Sequence, residues 1–189
     1  MKSKTHIMVD IESLGKSDNA TIFQIAAAAF DISNGNIKDS IDLKLNIDTV
    51  ENLRVDGDTL KWWLNTNKEL LTSLLDEGEL SEIEMVHQFR DWVDVQGDIE
   101  DVTLWGNGII FDNAKIQQKM NGLDVRYPIH YKNDRDVRTI LALASDKSGL
   151  SEKEIKDSVL DENEVEHDAL DDVMYQIRLV CHCYSLLMK

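Results

Sequence analysis

The sequence predicts an α/β fold, one domain over residues 1–189 in which helices flank a mixed central sheet, an antiparallel meander joined to parallel strands. Three observations carry this. Apolar residues alternate along the N-terminal third, a turn signal sits between two of those alternating runs, and helical periodicity interleaved with short strand signals takes over afterwards.

Residues 6–12 alternate apolar and other residues and read as a first strand. Residues 21–32 (TIFQIAAAAFDI) are dense in apolar residues with a β-branched start and read as a second strand, with helix as the alternative for the alanine run. Ser33-Asn34-Gly35-Asn36 is a turn signal. Ile41, Leu43, Leu45 and Ile47 then alternate with polar residues, which predicts a third strand with one wet face.

Helices follow. Asp58 is placed to cap a short helix carrying Leu60, Trp62, Trp63 and Leu64. Ser81 and Glu84 form a capping box ahead of Ile83, Val86, Phe89, Trp92 and Val93 at helical spacing. Residues 102–105 predict a short strand running into Gly106-Asn107-Gly108. Helices are expected over 112–120, ended by Asn121-Gly122, over 135–144, and over 167–187, the last after an acidic loop at 161–166.

Bulk properties exclude several classes. The chain has 189 residues, 42% of them hydrophobic, enough for a sizeable core. The apolar run at residues 25–30 is six residues long, far short of the roughly 20 that a bilayer span needs. MKSKTHIMVD lacks the apolar stretch of a secretory signal. Cys181 and Cys183 lie two positions apart on one expected helix, so their side chains diverge; reduced thiols in a cytoplasmic protein are expected, without a disulfide or a zinc site.

The net charge of −16 opposes tight tracking of a phosphate backbone, which favours basic proteins. Bound divalent cations would supply some of the missing positive charge. Residues 113–138 are locally basic, with Lys115, Lys119, Arg126, Lys132, Arg135 and Arg138 against three acids.

Asp10 and Glu12 stand two apart on the first expected strand and share a face. Paired carboxylates on a semi-buried strand repel each other and lose hydration, a cost of several kcal/mol that a divalent cation removes. An all-oxygen donor pair suits Mg²⁺ or Mn²⁺. Asp112 opens a helix after WGNGIIF, where capping alone would account for it. His167 precedes Asp172 by five residues in HDALDD, with Asp171 a competing ligand. Singly, each signal is weak.

Taken in order, Asp10-x-Glu12, Asn107-x-x-x-Phe111-Asp112 and His167-x-Ala169-x-x-Asp172 resemble the three motifs of the DEDDh 3′-5′ exonucleases. The style is similar to phage and prophage exonucleases of the exonuclease A type and to a mycobacterial exoribonuclease group, in which the Trp62-Trp63 pair and Asp136-x-Arg138-Thr139 are expected. The resemblance spans residues 5 to about 187. It implies a ribonuclease H-like fold and two Mg²⁺ or Mn²⁺ ions held by Asp10, Glu12, Asp112 and Asp172. It also implies His167 as general base, nucleoside 5′-monophosphate products, and substrate contacts from Ser13, Leu14, Asn107, Phe111 and Trp63.

The expected partners are nucleic-acid 3′ ends, with single-stranded DNA or 3′ overhangs first and RNA as the alternative, met by a monomer or homodimer. A non-catalytic acidic nucleic-acid mimic or a 3′-end-binding protein is the rival from another class. Many relatives have Thr-Gly-Leu after the first motif; here Ser13-Leu14-Gly15 stands in its place.

Overall fold

A computed structural model describes residues 4–161 and 165–189. Five strands form one sheet in the order β3-β2-β1-β4-β5. The strands are β1 (Thr5–Ser13), β2 (Ile22–Phe30), β3 (Ile37–Lys44), β4 (Val102–Gly106) and β5 (Asp134–Asp136). β1, β2 and β3 pair antiparallel as the expected meander, and β4 and β5 add parallel to β1.

The helices are α1 (Gly57–Thr66), α2 (Lys68–Asp76), α3 (Glu82–Gln96), α4 (Asp112–Gly122), α5 (Val137–Ser148), α6 (Glu152–Asp157) and α7 (Ala169–Met188). They cover both faces of the sheet, so both faces of the central strands are apolar. Ile7, Val9 and Ile11 of β1, with Phe23, Ile25 and Ala27 of β2, pack under α1–α4 against Trp63, Leu74, Phe89 and Ile116. Met8, Ala26, Ala28 and Phe30 face α5 and α7, meeting Val137, Leu141, Val173, Ile177 and Val180.

This two-sided burial explains the alanine run. Ala26–Ala29 form a strand because every position is covered, and their small side chains let α7 seat closely on the sheet.

Several expectations are corrected. β3 begins at Ile37 and ends at Lys44. Leu45 makes only an isolated bridge to Leu80, and Ile47 enters a short 3-10 turn capped by the Asn46 side chain. The first helix is preceded by Asp56, with Asp58 in its first turn. α4 continues through Asn121 to Gly122, and α5 starts two residues later than expected because Asp136 caps it through Thr139. The last helix starts at Ala169, leaving His167 outside it. α2, α6 and β5 have no counterpart in the sequence reading. The acidic stretch 161–166 lies partly outside the described residues.

The basic segment is not a uniform positive face. Lys119 pairs with Glu82, Arg126 with Asp94, and Lys115 is buried. Cys181 and Cys183 are both free thiols. Among the described residues, no helix is long and apolar enough to cross a membrane.

Candidate active site

β1 supplies the first two acids. The alternation that sends Ile7, Val9 and Ile11 to one core sends Met8, Asp10 and Glu12 to the α7 face. Asp10 stands opposite Ala26 and Glu12 opposite Gln24. Gln24 ties the far end of the site: its Oε1 accepts the Ala169 N–H at 3.2 Å and its Nε2 donates to Asp42. The start of α7 is thereby held beside β1. About two turns further along α7, Gln176 donates to Asp10 Oδ1 at 2.7 Å.

Asp168 caps α7, accepting from the Leu170 and Asp171 N–H groups. The two neighbouring acids then diverge. Asp171 accepts the Val165 N–H at 2.8 Å and braces the preceding loop. Asp172 turns toward the strand, so that Glu12, His167 and Asp172 each place a ligand atom within 4.8 Å of the others. His167 adopts a left-handed backbone, φ 71°, sparsely populated for a non-glycine residue. The His167 backbone N–H favours the ionised form of the Asp172 carboxyl.

Asp112 arrives from β4. A Cβ on Gly106 would lie 2.3 Å from Asn113 Oδ1 and 3.3 Å from Asp112 Cβ, so only glycine lets α4 begin this close to the strand. Gly108, φ 122°, turns the chain and receives the Phe111 N–H on its carbonyl at 2.7 Å. Asp112 is 4% exposed, and the backbone N–H groups of Asp112 and Asn107 favour its ionised form.

The electrostatics show that these acids share one environment. Burial, then the fields of Asp112 and Asp172, hold the Asp10 carboxyl well above the usual carboxylate range. Burial and the neighbouring acids, Asp10 first among them, push Glu12 up to about 10. Asp112 rises to about 7 through burial, against the opposing field of Arg138, and Asp172 to about 6 through burial, against that of His167. Carboxylates at this proximity favour proton retention or a divalent cation. Oxygen donors with one imidazole nitrogen fit such an ion. The Gln176 Oε1, buried and without a hydrogen-bond partner, stands beside the same acids.

Two clefts flank the cluster. One, of about 410 Å³, is lined by Glu12, Ser13, Gly15, Trp62, Trp63 and Phe111. The other, of about 760 Å³, holds Asp10, Asn107, His167, Asp172, Tyr175 and Gln176 on its walls.

Leu14, expected to contact substrate, is a core residue at 3% exposure, and Trp63, though 1% exposed, still lines the first cleft. The reason for Leu14 is a register shift between Glu12 and Ser13; the irregularity reverses the alternation and turns Leu14 inward. Trp63 packs on Phe23 and donates to the Ser13 carbonyl at 3.4 Å. The exposed indole is Trp62, at 41%, a residue for which the sequence offered no way to decide between the pair. Lys115, buried behind the first cleft, was legible only as part of a basic segment.

This sheet order, with carboxylates gathered from β1, α4 and α7, sits on the fold of solved nucleases, one of them described as a DEDDh family member. The chain belongs to the family described as the 3′-5′ exoribonuclease Rv2179c-like domain, whose sequence model matches residues 5–184. Its fold is similar to that of cell-death related nuclease 4, with a TM-score of 0.73 and 16% identity over 97% of this chain and 64% of that one. It is similar to the nuclease domain of 3′hExo, a DEDDh family member bound to rAMP, with a TM-score of 0.66 and 12% identity over 97% and 93%. A zinc-bound exonuclease I–ssDNA complex from E. coli aligns with a TM-score of 0.66 and 14% identity over 93% and 39%. This chain thus spans less than two thirds of the first and third of these proteins. No curated protein matches it significantly in sequence.

Proposed function

We propose that this chain is a metal-dependent 3′-5′ exonuclease that removes nucleoside 5′-monophosphates from the 3′ ends of single strands. Asp10, Glu12, Asp112 and Asp172 would hold two Mg²⁺ or Mn²⁺ ions, and His167 is the general base. The observation that carries this reading is the convergence of Glu12, His167 and Asp172 within 4.8 Å, beside Asp10 and Asp112.

When bound, ions in such a site supply Lewis-acid activation of water and neutralise charge on the phosphodiester. The side chains do the rest. His167 takes the proton of the attacking water as general base. Gln176 fixes the Asp10 carboxylate through one oxygen, leaving the other for an ion. Trp62 and Phe111 offer aromatic faces in the 410 Å³ cleft for the terminal base, which stacks without regard to sequence for about 1–3 kcal/mol. Asn107 lines the opposite cleft, where the upstream phosphate would pass. The two free thiols support a reducing, cytoplasmic setting.

The exoribonuclease description of the family favours RNA as substrate. Single-stranded DNA is a second reading, supported by the solved exonuclease I–ssDNA neighbour. Degradation of 5′-labelled single-stranded RNA, single-stranded DNA and duplex DNA with Mn²⁺, run beside Asp10→Ala, tests both. A ladder of 3′-shortened products from wild type alone is expected. Identical ladders from both proteins, or none from either, would reject the assignment.

A further inference from the structure

Lys115 has no part in the chemistry above, yet its side chain is 3% exposed. An ammonium group buried to that extent costs several kcal/mol unless its donors are used. Its partners are specific. The Nζ donates to the Gly15 carbonyl, reaches Ser13 Oγ at 3.4 Å, and sits 4.0 Å from the centroid of the Phe111 ring. Ser13, Gly15 and Phe111 all line the 410 Å³ cleft, while Lys115 lies behind that wall.

The same turn is gripped from its other side. Asp56 accepts the N–H groups of Lys16 and Ser17 at 2.7 and 2.9 Å, and its own N–H donates to the Leu14 carbonyl at 2.8 Å. A Cβ on Gly15 would lie 2.5 Å from Asp56 Cγ and 2.9 Å from Ala20 Cβ, so only glycine lets the turn sit this close to Asp56. Ser13 Oγ adds an internal bond to the Gly15 carbonyl at 2.8 Å.

We propose that Lys115 is a positioning residue that sets the shape of the terminal-nucleotide cleft by clamping the turn at residues 13–15 to Phe111. The inference rests on the exonuclease reading. It assigns affinity for the terminal nucleotide to a cation that touches the cleft wall from outside, at the segment where this chain carries Ser-Leu-Gly. Burial lowers the Lys115 pKa overall, against the raising fields of Asp56 and Asp112.

The test measures kcat and KM on a 5′-labelled single strand, and AMP affinity by calorimetry in Mn²⁺, for wild type, Lys115→Met, Lys115→Gln and Asp56→Ala. Lys115→Met should raise KM and the AMP Kd by roughly tenfold and leave kcat within about twofold, the signature of lost ground-state binding. Lys115→Gln, which restores one donor, should recover part of that loss. Asp56→Ala, on the outer support, should shift KM in the same direction. A Lys115→Met protein with wild-type KM, or one that loses kcat alone, overturns the assignment. If Lys115→Met fails to fold, Asp56→Ala decides: an unchanged KM overturns it. A wild-type chain that degrades no strand overturns the exonuclease reading and this inference with it.

Discussion

The His167 imidazole meets the Trp62 indole edge-on, with ring centroids 4.8 Å apart and planes at 86°. Trp63 stands behind, 6.2 Å from the same imidazole. His167 sits in a left-handed backbone conformation just before α7, so the indole is the surface that limits its swing. Such aromatic pairs contribute about 0.5–1.5 kcal/mol. Trp62→Leu should therefore lower kcat by roughly 2- to 12-fold, with a rise in KM from lost stacking. Steady-state kinetics check this, and an unchanged kcat would release His167 from Trp62.

Removing the imidazole itself has a larger effect. His167→Ala should cut kcat by roughly 10²–10⁴ while the four carboxylates still bind Mn²⁺. Kinetics paired with calorimetric Mn²⁺ titration would show the split. Full activity in this variant would end the general-base assignment.

The acids oppose stability when no ion offsets them. Glu12→Gln and Asp10→Asn remove carboxyls that must take up a proton to be buried beside their neighbours, a cost that burial and the adjacent acids impose on folding near neutral pH. Both variants should lose hydrolysis, yet in EDTA near neutral pH each should melt above wild type. A gain of about 1 kcal/mol corresponds to roughly 2–4 °C for a chain of this size. Thermal melts with and without EDTA provide the measurement; a lower melting temperature in EDTA would contradict the electrostatic account.

The pH dependence follows from the same shifts. Asp112, Asp172 and Glu12 have folded-state values of about 7, 6 and 10, against ordinary values of 3.8, 3.8 and 4.5. A raised acid pKa means that the folded state binds more protons, so this contribution is present below the unfolded values and is lost as pH climbs through the folded ones. The metal-free protein should lose stability between about pH 4 and pH 10 from these groups. Divalent ions compete with the same protons, so Mn²⁺ should bind more tightly, and raise the melting temperature further, at about pH 8 than at about pH 5.5. Melting curves at both values test the sign. An Mn²⁺ effect independent of pH would count against the cluster.

Backbone approach matters at Gly106. Gly106→Ala would press a methyl into Asn113 Oδ1 and toward Asp112 Cβ. Activity should fall by at least about tenfold, because a shift of an ångström at a catalytic group costs rate out of proportion to its effect on stability. Specific activity compared with melting temperature checks this.

Much of this site was legible because its residues obey local rules. Asp10 and Glu12 follow the alternation that builds β1, and Ser81 and Glu84 form the expected capping box. The alanine run reads as a strand with helix as the alternative, and burial on both faces is what makes the strand the outcome. α2 carried a readable signal in Leu70, Leu71, Leu74 and Leu75 at helical spacing. β5 did not: Asp-Arg-Asp pairs only because β4 lies beside it. Leu14 was misread because one irregularity after Glu12 reverses the facing of everything beyond it. Lys115 was invisible as a buried cation, since its partners come from the turn about 100 residues upstream. The five-residue spacing from His167 selects Asp172 over Asp171, and Asp171 accepts the Val165 N–H instead.

Anomalous diffraction from crystals soaked in Mn²⁺ tests the central claim most directly. The account predicts ion peaks enclosed by Asp10, Glu12, Asp112 and Asp172, with the His167 imidazole facing them and the peaks absent in Asp10→Asn. Peaks elsewhere, or none among these carboxylates in wild type, would contradict it.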